Sequence, residues 1–91
     1  MKIVWAKPAR DDMVALREFI RIENPSAAAR VAERIMAIVE LISKNPGIGR
    51  AGRVSQTREM FVTQTPFLIA YSVFEQRLVI LRVLHGVRKW A

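Results

Sequence analysis

Residues 67–74, "FLIAYSVF", and residues 77–85, "RLVILRVLH", are separated by only two residues, "EQ". Both runs are rich in the β-branched and aromatic side chains that pack well on a pleated surface, and both have the length of a strand. A two-residue connection makes such strands antiparallel neighbours. Just upstream, "REMFVT" (58–63) joins them through the short turn "QTP", so three consecutive strands form one antiparallel unit. Both faces of the last two strands are apolar along much of their length. One face must meet other elements of the fold; the other must be partly covered or offered to a partner.

Upstream of these strands the apolar period is helical. Ala9, Met13, Leu16 and Ile20 follow one another at i, i+4, i+7 and i+11, which draws a single stripe on a helix. Pro8 sits where that helix begins, and Asp11 and Asp12 are expected in its first turn, against the positive end of the dipole. "ENPSAA" ends this helix and starts another, with Asn24 as cap and Pro25 as the first helical residue. The second helix runs to about Lys44, with a seam of Val31, Ile35, Ile38 and Ile42 widened by Met36 and Val39. "NPG" at 45–47 stops it. So short a link between helices folds them into an antiparallel hairpin. At the start, "MKIVWA" alternates as a short first strand, with Ile3 and Trp5 on one face. "NPGIGRAGRVSQ" reads as a flexible connection. The order is strand, helix, helix and three strands: an α+β fold with a small, mostly antiparallel four-stranded sheet and the N-terminal helical hairpin on one face. Residues 1–91 read as one domain.

The chain has no cysteine and one histidine, so a zinc cluster is excluded, and no metal or cofactor is expected. "GIGRAG" lacks the Lys-Ser/Thr of a P-loop and follows a helix rather than a strand, so it is no nucleotide site. No apolar run approaches the roughly 20 residues of a membrane span, and a cytoplasmic protein without membrane contact is expected. The net charge is +7, unevenly spread: residues 46–91 carry seven basic side chains against Glu59 and Glu75 alone. Such a field attracts nucleic acid or an acidic protein.

The chemistry that remains is basic: Arg50, Arg53, Arg58, Arg77, Arg82, His85, Arg88 and Lys89. Cleaving RNA requires a group to take the 2′-hydroxyl proton, a group to protonate the leaving oxygen, and cations on the phosphate. Histidine and arginine supply these near neutral pH. Arg82 and His85 beside a basic loop are thus sufficient parts for a metal-free ribonuclease. Along an uninterrupted strand, however, Arg82 shares a face with Leu78, Ile80 and Leu84, and His85 shares one with Val79, Leu81 and Val83. The two point to opposite sides unless a bulge or Gly86 turns the chain between them. Arg82 could equally pair with a carboxylate of a partner, and His85 could be a hydrogen-bonded structural residue.

A helical hairpin ending in "NPGIGR", followed by "GRV", "TREMFV", "TPFLIAYSV" and "LVILRVLHGVR", resembles the RelE/ParE superfamily of toxins from bacterial type II toxin–antitoxin modules. The resemblance covers nearly the whole chain. It implies a curved sheet carrying the helical hairpin, and a cognate antitoxin that neutralises the toxin by binding it directly in a hetero-oligomer. Two targets follow from it. A ParE-like member poisons DNA gyrase, the reading slightly preferred here. A RelE-like member cuts mRNA on the ribosome. In that case Arg82 would hold the phosphate and His85 would act as base or acid, with Arg58 beside them and Arg50, Arg53, Arg88 and Lys89 contacting nucleic acid or target. The lysines of RelE-type sites are missing between Lys44 and Lys89. A plain RNA-binding module would need exposed stacking aromatics, whereas Tyr71 shares its strand face with Phe67, Ile69 and Val73.

Overall fold

A computed structural model describes residues 1–86. The elements are β1 (Lys2–Trp5), α1 (Lys7–Glu23), α2 (Pro25–Lys44), β2 (Arg50–Ala51), β3 (Arg58–Phe61), β4 (Phe67–Phe74) and β5 (Arg77–His85). The expected α+β order holds, with one addition. Arg50 and Ala51 pair with Glu59 and Arg58, which makes a fifth, two-residue strand inside the segment expected to be flexible.

The helices follow from their caps. The Asn24 side chain accepts the Ala27 N–H, Pro25 opens α2, and the Asn24 N–H closes α1 on the Ile20 carbonyl. One residue thus serves both helices and forces the tight hairpin. α1 begins at Lys7, so Asp11 and Asp12 lie beyond its first turn, which holds no acid. Asp11 pairs instead with Lys7, and Asp12 leaves the helix for the sheet. On α2, Ile35, Val39 and Ile42 are fully buried, whereas Met36 faces outward and does not widen the seam.

The sheet order is β1-β5-β4-β3-β2. β5 is paired on both sides: parallel to β1 (Lys2 with Arg77 through Trp5 with Ile80) and antiparallel to β4. One face carries Ile69, Tyr71, Leu78, Ile80 and Val83 against Ala9, Leu16, Ile35, Val39 and Ile42 of the hairpin. Each Val, Leu or Ile fully buried here contributes about 1.5–3 kcal/mol. The opposite face holds a second buried cluster, Leu68, Ala70 and Leu84.

The β4–β5 register slips by one residue. Tyr71 faces Ile80 but Ala70 faces Arg82, so Leu81 is an extra residue in β5. An uninterrupted strand would have placed Arg82 and Leu84 in phase with Leu78 and Ile80, driving a guanidinium into the helix-side core. The bulge swaps the faces beyond it: Val83 joins the main core, and Arg82 and Leu84 turn to the other side.

Candidate functional site

Arg82 sits just past the bulge, where β1 has ended and β5 has lost its parallel neighbour. Asp12 of α1 fills that place. Its carboxylate accepts the Val83 N–H at 2.9 Å, Arg82 Nε at 2.7 Å and Arg82 Nη2 at 2.9 Å. The first two share one oxygen, and the guanidinium is gripped through both. Hydrogen bonding to Asp12 raises the Arg82 pKa above its ordinary value, so the side chain stays charged throughout the physiological range. Arg82 was expected to meet a phosphate or a partner's carboxylate; in this structure its anion is Asp12 of the chain's own first helix.

His85 lies elsewhere. The bulge precedes Arg82 rather than falling between the two residues, so Arg82 and His85 remain on opposite faces. Ala70 opposes the arginine and Phe67 the histidine. The His85 ring meets Phe67 edge to face, with centroids 6.0 Å apart.

The loop arginines gather on a buried carboxylate. Glu59 is 2% exposed, and it shares the outer face with Ala70 through the β3–β4 register. It accepts the Arg53 backbone N–H at 3.0 Å and lies 3.4 Å from Arg53 Nε and 3.5 Å from Arg50 Nη2. Arg53 extends further, donating Nη2 to the Gly86 carbonyl at 3.3 Å, and Arg50 stacks over the Phe61 ring at 5.0 Å. Arg58 alternates to the other face and donates to the Gly49 carbonyl at 2.7 Å.

Tyr71 completes the loop's anchorage. It is fully buried, donates its hydroxyl to the Pro46 carbonyl at 2.7 Å and accepts the Gly49 N–H at 2.9 Å. Glycine is required at 49 by close approach, since a Cβ there would lie 2.6 Å from that hydroxyl. The segment read as a flexible connection is therefore pinned at Tyr71 and at Glu59. A buried Tyr71 is also unavailable for base stacking.

The structure thus brings Arg50 and Arg53 together on Glu59, holds Arg82 on Asp12, and places His85 and Arg58 on the face opposite Glu59 and Arg82. Arg88 and Lys89 lie outside the described residues. Asp12, Glu59 and Tyr71 were not singled out from the sequence as site residues. The one available signal was that Glu59 is one of only two acids in a strongly basic half of the chain.

The family model for the ParE toxin of the type II toxin–antitoxin system parDE matches residues 3–90. The chain belongs to this family. It is a type II toxin of the RelE/ParE superfamily, as its segment order implied. Its relatives include the Y4kP protein of Sinorhizobium fredii, 33% identical over 98% of this chain and 92% of that one. Toxin RelE2 of Caulobacter vibrioides is 31% identical over 96% of this chain and 97% of its own length. A solved chain of the chromosomal ParDE system from P. aeruginosa shares the fold with a TM-score of 0.85, at 24% identity, covering 93% of this chain and 95% of that one. Among the described residues of this ParE-family chain, no helix is long and apolar enough to cross a membrane.

Proposed function

We propose that this toxin acts as a non-hydrolytic poison of DNA gyrase and is neutralised in the cytoplasm by direct binding of a cognate antitoxin. The observation that carries the reading is the clasp of Asp12 on Arg82. An arginine that stabilises a phosphorane must present guanidinium N–H groups to phosphate oxygens, and here its Nε–Nη2 edge is already engaged by a carboxylate. His85 lies on the opposite face, edge to face with Phe67, so acid–base group and cation do not converge on one point. The Glu59-bound loop, with Arg50 and Arg53, is the basic surface that faces the target.

The second reading, a ribosome-dependent mRNA endonuclease using Arg82, His85 and Arg58, is favoured by the relative named RelE2. It would require Asp12 to release Arg82 on the ribosome. Brief induction of the toxin without antitoxin separates the two. Under the gyrase reading, pulse-labelled DNA synthesis stops while translation continues, and His85→Ala keeps its toxicity. An immediate halt of translation, with mRNA cut inside ribosome-bound codons, would replace it with the nuclease reading.

A further inference from the structure

The charge of the molecule is divided unevenly between its two layers. α1 and α2 carry seven basic side chains and six of the chain's eight acids, so the helical layer is close to neutral. Outside the helices, the described chain holds Lys2, Arg50, Arg53, Arg58, Arg77 and Arg82 against Glu59 and Glu75 alone. The surplus therefore belongs to the sheet layer. Neither of its two acids offsets it at the surface of the loop: Glu59 is buried, and Glu75 sits at the β4–β5 turn beside Arg77. A field of this shape draws a polyanion to the sheet rather than to the hairpin.

Arg50 and Arg53 present that surplus in a built cluster. β2 is the last strand of the sheet, and Arg50 lies opposite Glu59 on the face away from the helices. A buried carboxylate needs one guanidinium to balance it, and here two arginines share it. Their approaches to Glu59, 3.5 and 3.4 Å, are looser than the 2.7 Å of Arg82 on Asp12. The Arg50 side chain is 61% exposed and lies over the Phe61 ring. Phe61 is itself held in place by close packing, since a Cβ at Gly86 would fall 2.6 Å from its ring. A guanidinium fixed over an aromatic ring keeps its rim of N–H groups for an oxyanion, and less entropy is lost when the anion arrives.

We infer that the sheet face carrying Arg50 and Arg53 rests on the DNA backbone in the gyrase complex, with these two arginines, held by Glu59, seating a phosphate. This rests on the gyrase reading above. A duplex carries about one negative charge per 1.7 Å of its axis, so anions continue on both sides of the seated phosphate. They meet a surplus that continues across the sheet to Lys2 and Arg77, register partners on β1 and β5. An acidic patch on a protein would match the cluster alone. Coupling between the two ligands is reciprocal: if DNA tightens the toxin on gyrase, the toxin tightens DNA on gyrase by the same factor, as a poison of the DNA-bound enzyme requires.

The test titrates labelled full-length toxin onto purified gyrase holoenzyme, with and without a linear duplex carrying a gyrase cleavage site, over a series of salt concentrations. The duplex tightens wild-type binding by about tenfold or more, and binding to the loaded enzyme weakens more steeply with salt than binding to the bare enzyme. Arg50→Gln leaves Arg53 on Glu59, loses most of the gain from the duplex, and lowers the logarithmic salt slope by about one, whatever the duplex sequence. Arg34→Gln, the same charge change at an exposed position of α2, keeps the gain within about threefold and keeps the slope. An unchanged melting temperature shows that Arg50→Gln retains the fold. Gyrase binding that gains nothing from the duplex would overturn the inference and leave the gyrase reading intact. So would equal losses in Arg50→Gln with and without the duplex, which assign the cluster to the protein surface of the target. A gain matched by the duplex without gyrase would reduce the contact to non-specific attraction and overturn it too. Absence of gyrase binding in either state would overturn both readings.

Discussion

Replacing Asp12 with alanine removes three hydrogen bonds at once, and their environments differ enough to apportion the loss. Val83 is 4% exposed, and its N–H loses its acceptor where water has little access, which costs about 1–3 kcal/mol. The Arg82 side chain is 33% exposed, so water recovers much of the guanidinium's solvation, and the ion pair contributes about 1 kcal/mol at most. Asp12→Ala should therefore cost about 2–4 kcal/mol, with a fall in Tm of roughly 4–8 °C per kcal/mol for a domain of this size. Asp12→Asn retains an oxygen for the Val83 N–H and gives up the charge, so its cost is about 1 kcal/mol. Urea unfolding followed by circular dichroism, with Arg82→Ala and the double variant, completes the cycle. The expected coupling between the two positions is about 1 kcal/mol. A loss below about 0.5 kcal/mol for Asp12→Ala, or zero coupling, would show that Asp12 neither closes the β5 edge nor holds Arg82 in solution.

Three further variants probe the scaffold. Tyr71→Phe leaves the Gly49 N–H and Pro46 carbonyl without their partner and should cost about 1–3 kcal/mol, with faster hydrogen exchange at the Gly49 amide. Gly49→Ala pushes a methyl group against the same hydroxyl and should cost a similar amount, about 1–3 kcal/mol; a Tm equal to the wild type would deny the close approach. Glu75 and Gln76 both have positive φ, 49° and 62°, in the two-residue β4–β5 turn. Glu75→Asn with Gln76→Gly supplies the residues this primed turn favours and should stabilise the fold by about 1 kcal/mol, read as a higher urea midpoint at unchanged slope.

The fold was legible because its signals are local. Asn24-Pro25 fixes the helical hairpin, the stripe from Ala9 to Ile20 orients α1, and the two-residue "EQ" link makes β4 and β5 neighbours. The parallel pairing of β1 with β5 was not legible, since it joins the two ends of the fold and depends on packing between distant segments. The bulge at Leu81 left a trace that could have been followed. Arg82 falls in phase with Leu78 and Ile80, a conflict that one inserted residue resolves. That trace does not say which carboxylate receives the arginine, because Asp12 is 70 residues away in the chain and looked like a dipole partner of its own helix. The loop from 45 to 56 looked flexible because three glycines and polar residues carry no periodicity. Its order comes from Tyr71 and Glu59, both on strands elsewhere. The parity of β5 did place Arg82 and His85 on opposite faces, and that separation survives in the structure because the bulge lies before both residues.

Purified gyrase with relaxed plasmid, treated with the antitoxin-free toxin and with its His85→Ala variant, gives the most direct test of the proposed mode of action. Both proteins should block supercoiling and trap cleaved DNA on the enzyme. Undisturbed supercoiling, in a preparation that cuts mRNA on translating ribosomes and loses that activity on His85→Ala, would contradict it and replace it with the nuclease reading.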